Sequence, residues 1–363
     1  MGETRSIKSP CFTLSPRVVC WVEALDHGRA RLSSARDGKK ERATEPLRHV
    51  FGPVGSGRLG VSLGLDLLGA RICSFDCLYC EAGVTEALTT ARKPYVPARR
   101  LLDELAAWKA AGHAPPDVVT LGGLGEPCLN SELGAVIVGA KELFPDLPVA
   151  VLTNSSLMAD PDVRHELVQA DIVLPSMDTL VPAEYHRLNR PHAAVGLGAI
   201  RQGLLDFRAA YDGKIFLEVL LLAGINDSAE NSELLQGFCR ELAPDRVDVV
   251  TLSRPGAHPG CQAASAEALA RFRAALGGVA QDAGASRRAE GHGPAALAGP
   301  ALEALAGRIA ASVARRPQTE SGLAAGLGVP AAHVRLALAA LVRAKTVRER
   351  REGDAVFYSG LAG

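Results

Sequence analysis

The sequence predicts an α/β protein in which strands and helices alternate along the chain. From about Leu59 onward, short runs rich in β-branched residues alternate with longer amphipathic stretches, a pattern that favours parallel strands joined by helices. Most of the strand candidates are continuous apolar runs, as expected where helices cover both faces of a sheet. Cysteines, glycines and short polar residues follow several of these runs directly, at the strand ends where barrel proteins carry their chemistry.

The strand candidates are Leu59–Leu67, Val118–Gly122, Val149–Thr153, Ile172–Ser176, Ile215–Leu222 and Val247–Leu252. The helix candidates between them are Ala98–Ala111, Ser131–Phe144, Pro161–Gln169, Val195–Ala209, Ser228–Leu242 and Ala264–Leu276. Two of these helices begin with typical start signals, Asp160-Pro161 and Asp227-Ser228. Together these six β/α units form a predicted core domain at residues 49–280.

A second unit is predicted at residues 301–363, after a linker at 281–300 that is rich in Ala, Gly and Arg. Its predicted elements are helices at Ala301–Ala314, Glu320–Leu327 (capped by Thr319) and Ala331–Lys345, then a hairpin at Val347–Arg351 and Ala355–Tyr358. This order of three helices and a hairpin resembles a winged helix. Residues 1–48 show no sustained period, so we predict an irregular extension with one candidate strand at Val18–Leu25.

Composition and charge limit the class of protein. The 363 residues include 40 Lys and Arg against 40 Asp and Glu, so the net charge indicates no partner. A hydrophobic fraction of 47% and a charged fraction of 22% are typical of a soluble globular protein. The sequence has no uncharged apolar run of about 18 residues and no apolar signal-peptide core. We therefore expect a cytoplasmic protein without membrane contact, in a compartment that keeps thiols reduced.

Three cysteines form the most informative motif. Cys73, Cys77 and Cys80 have the spacing C-x3-C-x2-C directly after the first strand candidate. Three thiolates on one loop can bind three irons of a 4Fe-4S cluster and leave the fourth iron open, whereas electron carriers use four cysteines. A zinc site that lacks its fourth ligand, or three ordinary thiols, are the alternatives. Structural zinc sites usually close with paired ligands, and no suitable second pair follows in this sequence.

The cysteine spacing, with Tyr79 just before the last cysteine, resembles the radical S-adenosylmethionine (radical SAM) superfamily. The resemblance implies that SAM binds the open iron through its amino and carboxylate groups. It also implies that one electron cleaves SAM to methionine and a 5′-deoxyadenosyl radical, which abstracts a substrate hydrogen. The implied fold is a partial (β/α)6 barrel with the cysteine loop after its first strand, and the implied electron donor is a flavodoxin or ferredoxin.

Several residues at strand ends are candidates for binding SAM. By resemblance to the Gly-Gly-Glu motif of that superfamily, we assign Gly122, Gly123 and Glu126 to the cofactor, although a plain glycine turn is an alternative. Short polar side chains at strand ends can bind a ribose or a carboxylate, or can simply open turns and cap helices. The further candidates of this kind are Asn154, Ser176, Asp178 and Asn226. No catalytic residue is predicted.

A narrower resemblance is to a radical SAM group described as wyosine-base-formation-like. It rests on the segments Phe51–Gly60, Ser62–Asp66, Ser74–Asp76, Gly125–Pro127, Asn189–Pro191 and Gly224–Ser228. The opening departs from the group's usual pattern because Gly55 and Gly57 replace a proline and an arginine, so that an anion-binding role there would rest on Arg58. Enzymes that form wyosine on tRNA also hold a second cluster through upstream cysteines. Only Cys11 and Cys20 precede the main motif, so we expect no second cluster.

The leading hypothesis is therefore a radical SAM enzyme whose substrate the sequence does not name, with an RNA or tRNA base as one candidate. Arg335, Arg343, Arg348 and Arg350 of the carboxyl-terminal unit are the residues predicted to contact nucleic-acid phosphates, with a helical interaction module as the alternative. One rival function is an Fe-S redox or iron sensor that binds DNA through the winged helix. Another is a barrel that keeps SAM or a metal only as structural support.

Overall fold

Alternating strands and helices build most of the computed structural model, which describes residues 47–277, 299–352 and 355–361. The strands are β1 (Val50–Ser56), β2 (Gly60–Asp66), β3 (Ile72–Cys73), β4 (Ala87–Leu88), β5 (Val118–Gly122), β6 (Val149–Thr153), β7 (Ile172–Pro175), β8 (Lys214–Leu221), β9 (Arg246–Thr251), β10 (Val347–Glu352) and β11 (Ala355–Gly360). The helices are α1 (Ala98–Ala110), α2 (Leu133–Leu143), α3 (Pro161–Leu167), α4 (Pro182–Asn189), α5 (Leu197–Ala210), α6 (Ala229–Leu242), α7 (Ala266–Leu276), α8 (Pro300–Arg315), α9 (Glu320–Leu327) and α10 (Ala331–Arg343). The described residues belong to one compact unit.

The main sheet has seven strands in the order β1-β2-β5-β6-β7-β8-β9. From β2 to β9 every neighbouring pair is parallel, whereas β1 pairs with β2 in the antiparallel direction. All six predicted strands are present within about one residue of their predicted bounds, and the α/β class is confirmed.

The sheet curls into a partial barrel. Strands lie about 4.8 Å apart, so a flat sheet would separate β2 from β8 by roughly 19 Å. Nevertheless Arg58, in the turn between β1 and β2, forms an ion pair with Glu218 on β8. Its carbonyl oxygen also accepts a hydrogen bond from Arg246 on β9 at 3.2 Å. Only a curved sheet brings these strands together, as the partial (β/α)6 barrel prediction requires.

The two faces of the sheet differ in polarity. On β8 the side chains of Ile215, Leu217 and Val219 are buried in the main core beneath the helices. The alternate residues Phe216 and Glu218 are half-buried on the other face, inside the barrel. Strand β8 thus alternates between fully buried residues under the helices and half-buried residues inside the barrel. An interior that holds charged side chains leaves the barrel accessible to polar ligands.

Four of these elements were not predicted, namely strand β1, helix α4 and the two-residue strands β3 and β4. Strand β1 carries glycine and proline in Val50–Ser56, has a bulge between Phe51 and Val54, and lies at the sheet edge, where such residues are tolerated. Helix α4 has only eight mostly polar residues, too few for a recognisable apolar period. The candidate strand at Val18–Leu25 and nearly all of the predicted linker lie outside the described residues. The division into domains stays a prediction.

The carboxyl-terminal unit has the predicted order of three helices and a hairpin. Thr319 caps α9 by accepting a hydrogen bond from the backbone N–H of Gly322 at 3.1 Å. Helix α9 packs so closely on β1 that a Cβ atom at Gly326 would lie 2.8 Å from the backbone nitrogen of Gly55. The unpredicted strand β1 thus provides the surface on which this unit docks. The winged-helix assignment stays a prediction.

Within the described ranges, no single helix is long and apolar enough to cross a membrane. Helices α9 and α10 reach the required length and composition only as a pair, and they meet at an angle of 119°.

Candidate metal-cluster site

The three cysteines of the motif lie on one loop at the carboxyl-terminal side of the parallel strands. Cys73 ends β3, and Cys77 and Cys80 follow in a turn closed by a hydrogen bond from the Cys80 N–H to the Cys77 carbonyl oxygen at 3.2 Å. Cys77 is buried, whereas Cys73 and Cys80 are partly exposed. One loop therefore carries all three thiols, and their role as cluster ligands stays a prediction.

The local electrostatics disfavour free thiolates here. Burial raises the pKa of the Cys73 thiol to about 12, and the negative charge of Glu126 adds to this rise. Burial also raises the pKa of Cys77 well above its usual value, and negative charge on Cys73 and Cys80 raises it further. The sulfurs are thus close enough to repel one another when ionised. A cationic metal centre would replace the protons, because metal ligation requires the thiolate form.

Amide groups from two distant segments reach the cysteine sulfurs. Asn154, after β6, approaches the Cys73 sulfur with its Nδ2 at 3.4 Å and also donates to the Ser74 hydroxyl at 3.0 Å. Asn189, at the end of α4, approaches the Cys77 sulfur with its Nδ2 at 3.6 Å. Hydrogen bonds to ligating sulfurs orient the ligands and tune the reduction potential of iron–sulfur clusters. Asn154 was a candidate from sequence, but Asn189 was noted only as part of the Asn-Arg-Pro resemblance.

The segment around Asn189 also clamps the cysteine loop. The carbonyl oxygen of Asn189 accepts from the Asp76 N–H at 3.1 Å, and the carbonyl oxygen of Leu188 accepts from the Leu78 N–H at 2.9 Å. The Asp76 carboxylate lies 3.2 Å from both Arg190 and His258. Helix α4 therefore fixes the path of the loop between its cysteines.

The Gly-Gly-Leu-Gly-Glu segment after β5 packs directly against the start of the cysteine loop. A Cβ atom at Gly125 would overlap the carbonyl oxygen of Ile72, which accepts a hydrogen bond from the Glu126 N–H at 3.2 Å. Gly123 has a φ of +119°, and a Cβ there would overlap the Asp66 carboxylate. Glycine is therefore required at both positions. Gly125 was not among the predicted site residues.

Glu126 is buried and well anchored. Its Oε1 accepts from the Thr153 hydroxyl at 2.7 Å and from the Cys128 N–H at 3.0 Å, and its Oε2 accepts from the Asn154 N–H at 2.6 Å. Burial raises the pKa of Glu126, and these hydrogen bonds oppose the rise. A carboxylate has about four acceptor sites, so Oε2 retains one for a further donor.

Asp178 and Asn226 connect strand ends instead of presenting free polar groups. The Asp178 carboxylate accepts from the Tyr79 hydroxyl at 2.5 Å, from Asn189 at 3.0 Å and from the Leu220 N–H at 3.0 Å. The Asn226 amide donates to the carbonyl oxygens of Asp178 and Leu220, and its Oδ1 accepts from the Leu222 N–H. Asp178 therefore supports the cysteine loop, and the Asn226 amide is saturated by backbone partners.

Comparison with known proteins identifies the family. The chain is 39% identical over 189 residues to the UPF0026 protein slr1464 of Synechocystis sp., covering 51% of this chain and 69% of that protein. The chain belongs to the UPF0026 family. The UPF0026 protein of Helicobacter pylori strain J99 is 34% identical over 214 residues, covering 59% of this chain and 69% of its own length.

Other similarities cover smaller parts of the proteins compared. The GTPase Obg of Brachyspira hyodysenteriae is 32% identical over 250 residues, but this UPF0026 chain spans only 36% of its length and the match takes in 65% of this chain. No family model matches the sequence. Among solved structures, a radical SAM methyltransferase from Sphaerobacter thermophilus aligns at 18% identity with a TM-score of 0.45, covering 59% of this chain and 62% of that one. The maturase HydG from Carboxydothermus hydrogenoformans aligns at 15% identity with a TM-score of 0.43, covering 59% and 50%.

The predicted site residues of this UPF0026 protein fall into two groups. Those on the cysteine loop, on the glycine segment that packs against it, or in contact with a residue that supports it are Cys73, Cys77, Cys80, Gly123, Glu126, Asn154, Asp178 and Asn226. Gly122 and Ser176 lie at strand ends without such a described contact. Within residues 47–277, 299–352 and 355–361, no three His, Cys, Asp or Glu side chains converge on a single metal ion. A cubane does not require such convergence, because each cysteine binds a different iron. The roles of all these residues in binding SAM stay predictions.

The thiol pKa values lead to a prediction for the metal-free protein. We expect iodoacetamide to modify Cys73 and Cys77 slowly near pH 7, with rates that rise steadily to about pH 9 and beyond, because only the thiolate reacts and burial keeps both thiols protonated. Cys261 is partly exposed and should react before Cys73 and Cys77. Peptide mass spectrometry after timed alkylation measures each rate. Equal rates at Cys73 and Cys261 near pH 7 would contradict the expected order.

Proposed function

We propose that this UPF0026 protein is a radical SAM enzyme that uses a 4Fe-4S cluster and SAM. The observation that supports this most directly is the position of Cys73, Cys77 and Cys80 on one loop, beside the buried Glu126, at the carboxyl ends of parallel strands. The donor set suits the cluster, since it offers three thiols with amide donors at two of them. When bound, the cluster supplies the electron that cleaves SAM to methionine and a 5′-deoxyadenosyl radical for hydrogen abstraction.

The residues around the loop would prepare the site. Asn154 and Asn189 would donate to thiolate sulfur and disperse its negative charge. Glu126 would accept a hydrogen bond from the amino group of SAM at the free acceptor site of Oε2, and this hydrogen bond would favour the carboxylate form that burial disfavours. Ser176 is the remaining candidate for contact with the ribose. We assign supporting roles to Asp178 and Asn226, because their polar atoms already have protein partners.

The identity of the external partners is a further part of the proposal. A flavodoxin or ferredoxin would deliver the electron. The substrate would be an RNA or tRNA base, for which the arginines of the carboxyl-terminal unit would provide phosphate contacts.

One observation disfavours the alternative of a DNA-binding sensor. Arg335, on the predicted recognition helix α10, pairs with Glu320 through two hydrogen bonds of 2.7 and 3.0 Å. An arginine of the predicted recognition helix that was expected to meet DNA is thus neutralised within the chain.

The test is anaerobic reconstitution of the wild type and of Cys77→Ala, followed by reduction with dithionite in the presence of SAM. We expect the wild type to gain iron and sulfide and to release 5′-deoxyadenosine, and we expect Cys77→Ala to do neither. Cys239→Ala is the matched control, since Cys239 is a buried thiol on α6 outside the loop.

Two results would refute the proposal that this protein is a radical SAM enzyme. One is 5′-deoxyadenosine release by Cys77→Ala at the wild-type rate. The other is a reconstituted wild type that binds SAM tightly without cleaving it, which would favour a purely structural role for SAM.

A further inference from the structure

A cavity of about 350 Å³ lies between the cysteine loop and the carboxyl-terminal unit. Its walls include Cys80 itself and the residues that follow it, the loop after β9, the end of α8 and the hairpin of β10 and β11. Pockets that hold small ligands usually measure about 300–1,000 Å³. The cavity is therefore large enough for one small polar group or a single nucleotide unit, and a ligand there would lie against a cluster-binding cysteine.

The charge of the walls is strongly positive. Five arginines line the cavity, namely Arg71, Arg315, Arg316, Arg348 and Arg350, against the single acid Glu81. Three of them are neutralised, since Arg71 pairs with Glu86, Arg315 with Asp66 and Arg350 with Glu352. Glu81 is itself paired with Arg254 at 2.9 Å. Among the described residues, Arg316 and Arg348 have no carboxylate partner.

Arg316 is the least satisfied of these cations. Its Nε is buried and has no hydrogen-bond partner among the described residues. Burial lowers the pKa of Arg316 to about 10, the positive charge of Arg254 lowers it further, and the negative charge of Glu81, which is itself paired with Arg254, opposes the change. A half-buried guanidinium whose Nε has no partner is costly, because that group loses hydration and gains no hydrogen bond in return. An anionic ligand in the cavity would supply that compensation.

Only some of the arginines on the hairpin line the cavity. Side chains at alternate positions of a strand point to the same face, and Arg348 and Arg350 on β10 both line the cavity. Arg351, the next residue of β10 after Arg350, is exposed and does not line it. The strand therefore provides a built-in comparison between an arginine of the cavity and one of the opposite face.

We propose that this cavity binds a phosphate group of the substrate, with Arg316 and Arg348 as its main ligands. Arginine forks match phosphate oxygens in pairs, and two unneutralised guanidinium groups match the charge of about −2 of a phosphate monoester. The inference rests on the proposed function, since it places the substrate's phosphate beside the loop that would hold the cluster. It adds a phosphorylated substrate class and the residues that select it.

The test uses the reconstituted full-length protein and measures binding by calorimetry in low salt. One probe is uridine 5′-monophosphate, and a second is a short oligoribonucleotide without terminal phosphates. Binding of the first alone indicates a terminal phosphate, and binding of the second indicates the polynucleotide backbone. Either result supports the site if Arg316→Gln and Arg348→Gln each weaken binding about tenfold or more, as expected for lost charged hydrogen bonds.

Arg351→Gln is the control and should keep the wild-type affinity within about twofold. Arg348→Gln lies on the hairpin surface, so the test remains decisive if Arg316→Gln fails to fold. The proposal is overturned if neither probe binds the wild type, or if Arg351→Gln weakens binding as much as Arg348→Gln. Release of 5′-deoxyadenosine by the wild type without probe tests the radical SAM activity separately. The proposed activity and the proposed phosphate site can therefore fail independently.

Discussion

Replacing Gly125 by alanine is expected to lower the free energy of unfolding by about 3 kcal/mol and to prevent cluster assembly. The new Cβ atom would overlap the carbonyl oxygen of Ile72 and would approach Leu68 Cδ1 to 2.7 Å. The clash is with backbone, which cannot rotate away as a flexible side chain can. Relief would require the segment of Glu126 and the start of the cysteine loop to separate, and this would break the hydrogen bond between Glu126 and Ile72.

Gly122→Ala is the matched control for this change. Its Cβ would meet only Leu152 Cβ at 3.8 Å, which is ordinary contact, and Gly122 is not in the left-handed region. We expect this variant to unfold at nearly the wild-type urea concentration and to bind its full complement of iron. Urea denaturation and iron analysis after reconstitution measure both effects. If the two variants proved equally stable, the close packing of Gly125 on Ile72 would be wrong.

The extent to which the fold could be predicted depends on where each element draws its stability. Strands β5 and β6 have their predicted bounds because their continuous apolar runs are buried locally under helices. Strand β1 has no such run, and it is held by antiparallel pairing with β2, where the ring of Phe51 fills the space over Gly64. That complementarity becomes visible only once the two strands are paired.

The candidate site likewise contains residues that the sequence could identify and residues that it could not. The cysteines could be found because all three potential ligands come from one short segment with a diagnostic spacing. Asn189 could not be assigned, because it is 112 residues from Cys77 and asparagine is common at helix ends. From the sequence, Glu126 and Asn226 were equal candidates for binding SAM. In the structure Glu126 keeps one free acceptor site, whereas the polar atoms of the Asn226 side chain are all hydrogen-bonded to the backbone. Spacing identifies residue types at strand ends, but only the fold decides which of their atoms remain available.

The contact between the carboxyl-terminal unit and the barrel also could not be predicted from the sequence, and it centres on Arg315. The Arg315 side chain is 9% exposed, and its Nε lies 3.5 Å from Oδ2 of the fully buried Asp66. Its guanidinium also donates to the Ala311 carbonyl oxygen at 2.8 Å and lies over the ring of Phe51 at 4.6 Å. Asp66 in turn packs under Gly123, so that this ion pair joins α8 to the segment that precedes Glu126.

Arg315→Met is therefore expected to destabilise the protein by about 3 kcal/mol, because it leaves Asp66 as a buried carboxylate without its cation. Backbone N–H groups of Leu68 and Gly69 hold the other carboxylate oxygen at 3.2 Å each, and this limits the loss. Adding Asp66→Asn removes the unpaired charge. The double variant should then recover about 1–3 kcal/mol relative to the sum of the two single changes.

Arg343→Met, at an exposed position on α10, is the control and should change the stability by no more than about 0.5 kcal/mol. Urea denaturation of the four variants and the wild type gives the coupling free energy directly. Coupling near zero would mean that Arg315 stabilises the chain only through its other contacts, those with the Phe51 ring and the Ala311 carbonyl oxygen. Coupling of the expected size would make Asp66 the link through which the carboxyl-terminal unit holds the glycine segment in place. If the coupling has the expected size, Arg315→Met should also take up iron more slowly than Arg343→Met, because a displaced Asp66 no longer supports Gly123 beside the cysteine loop.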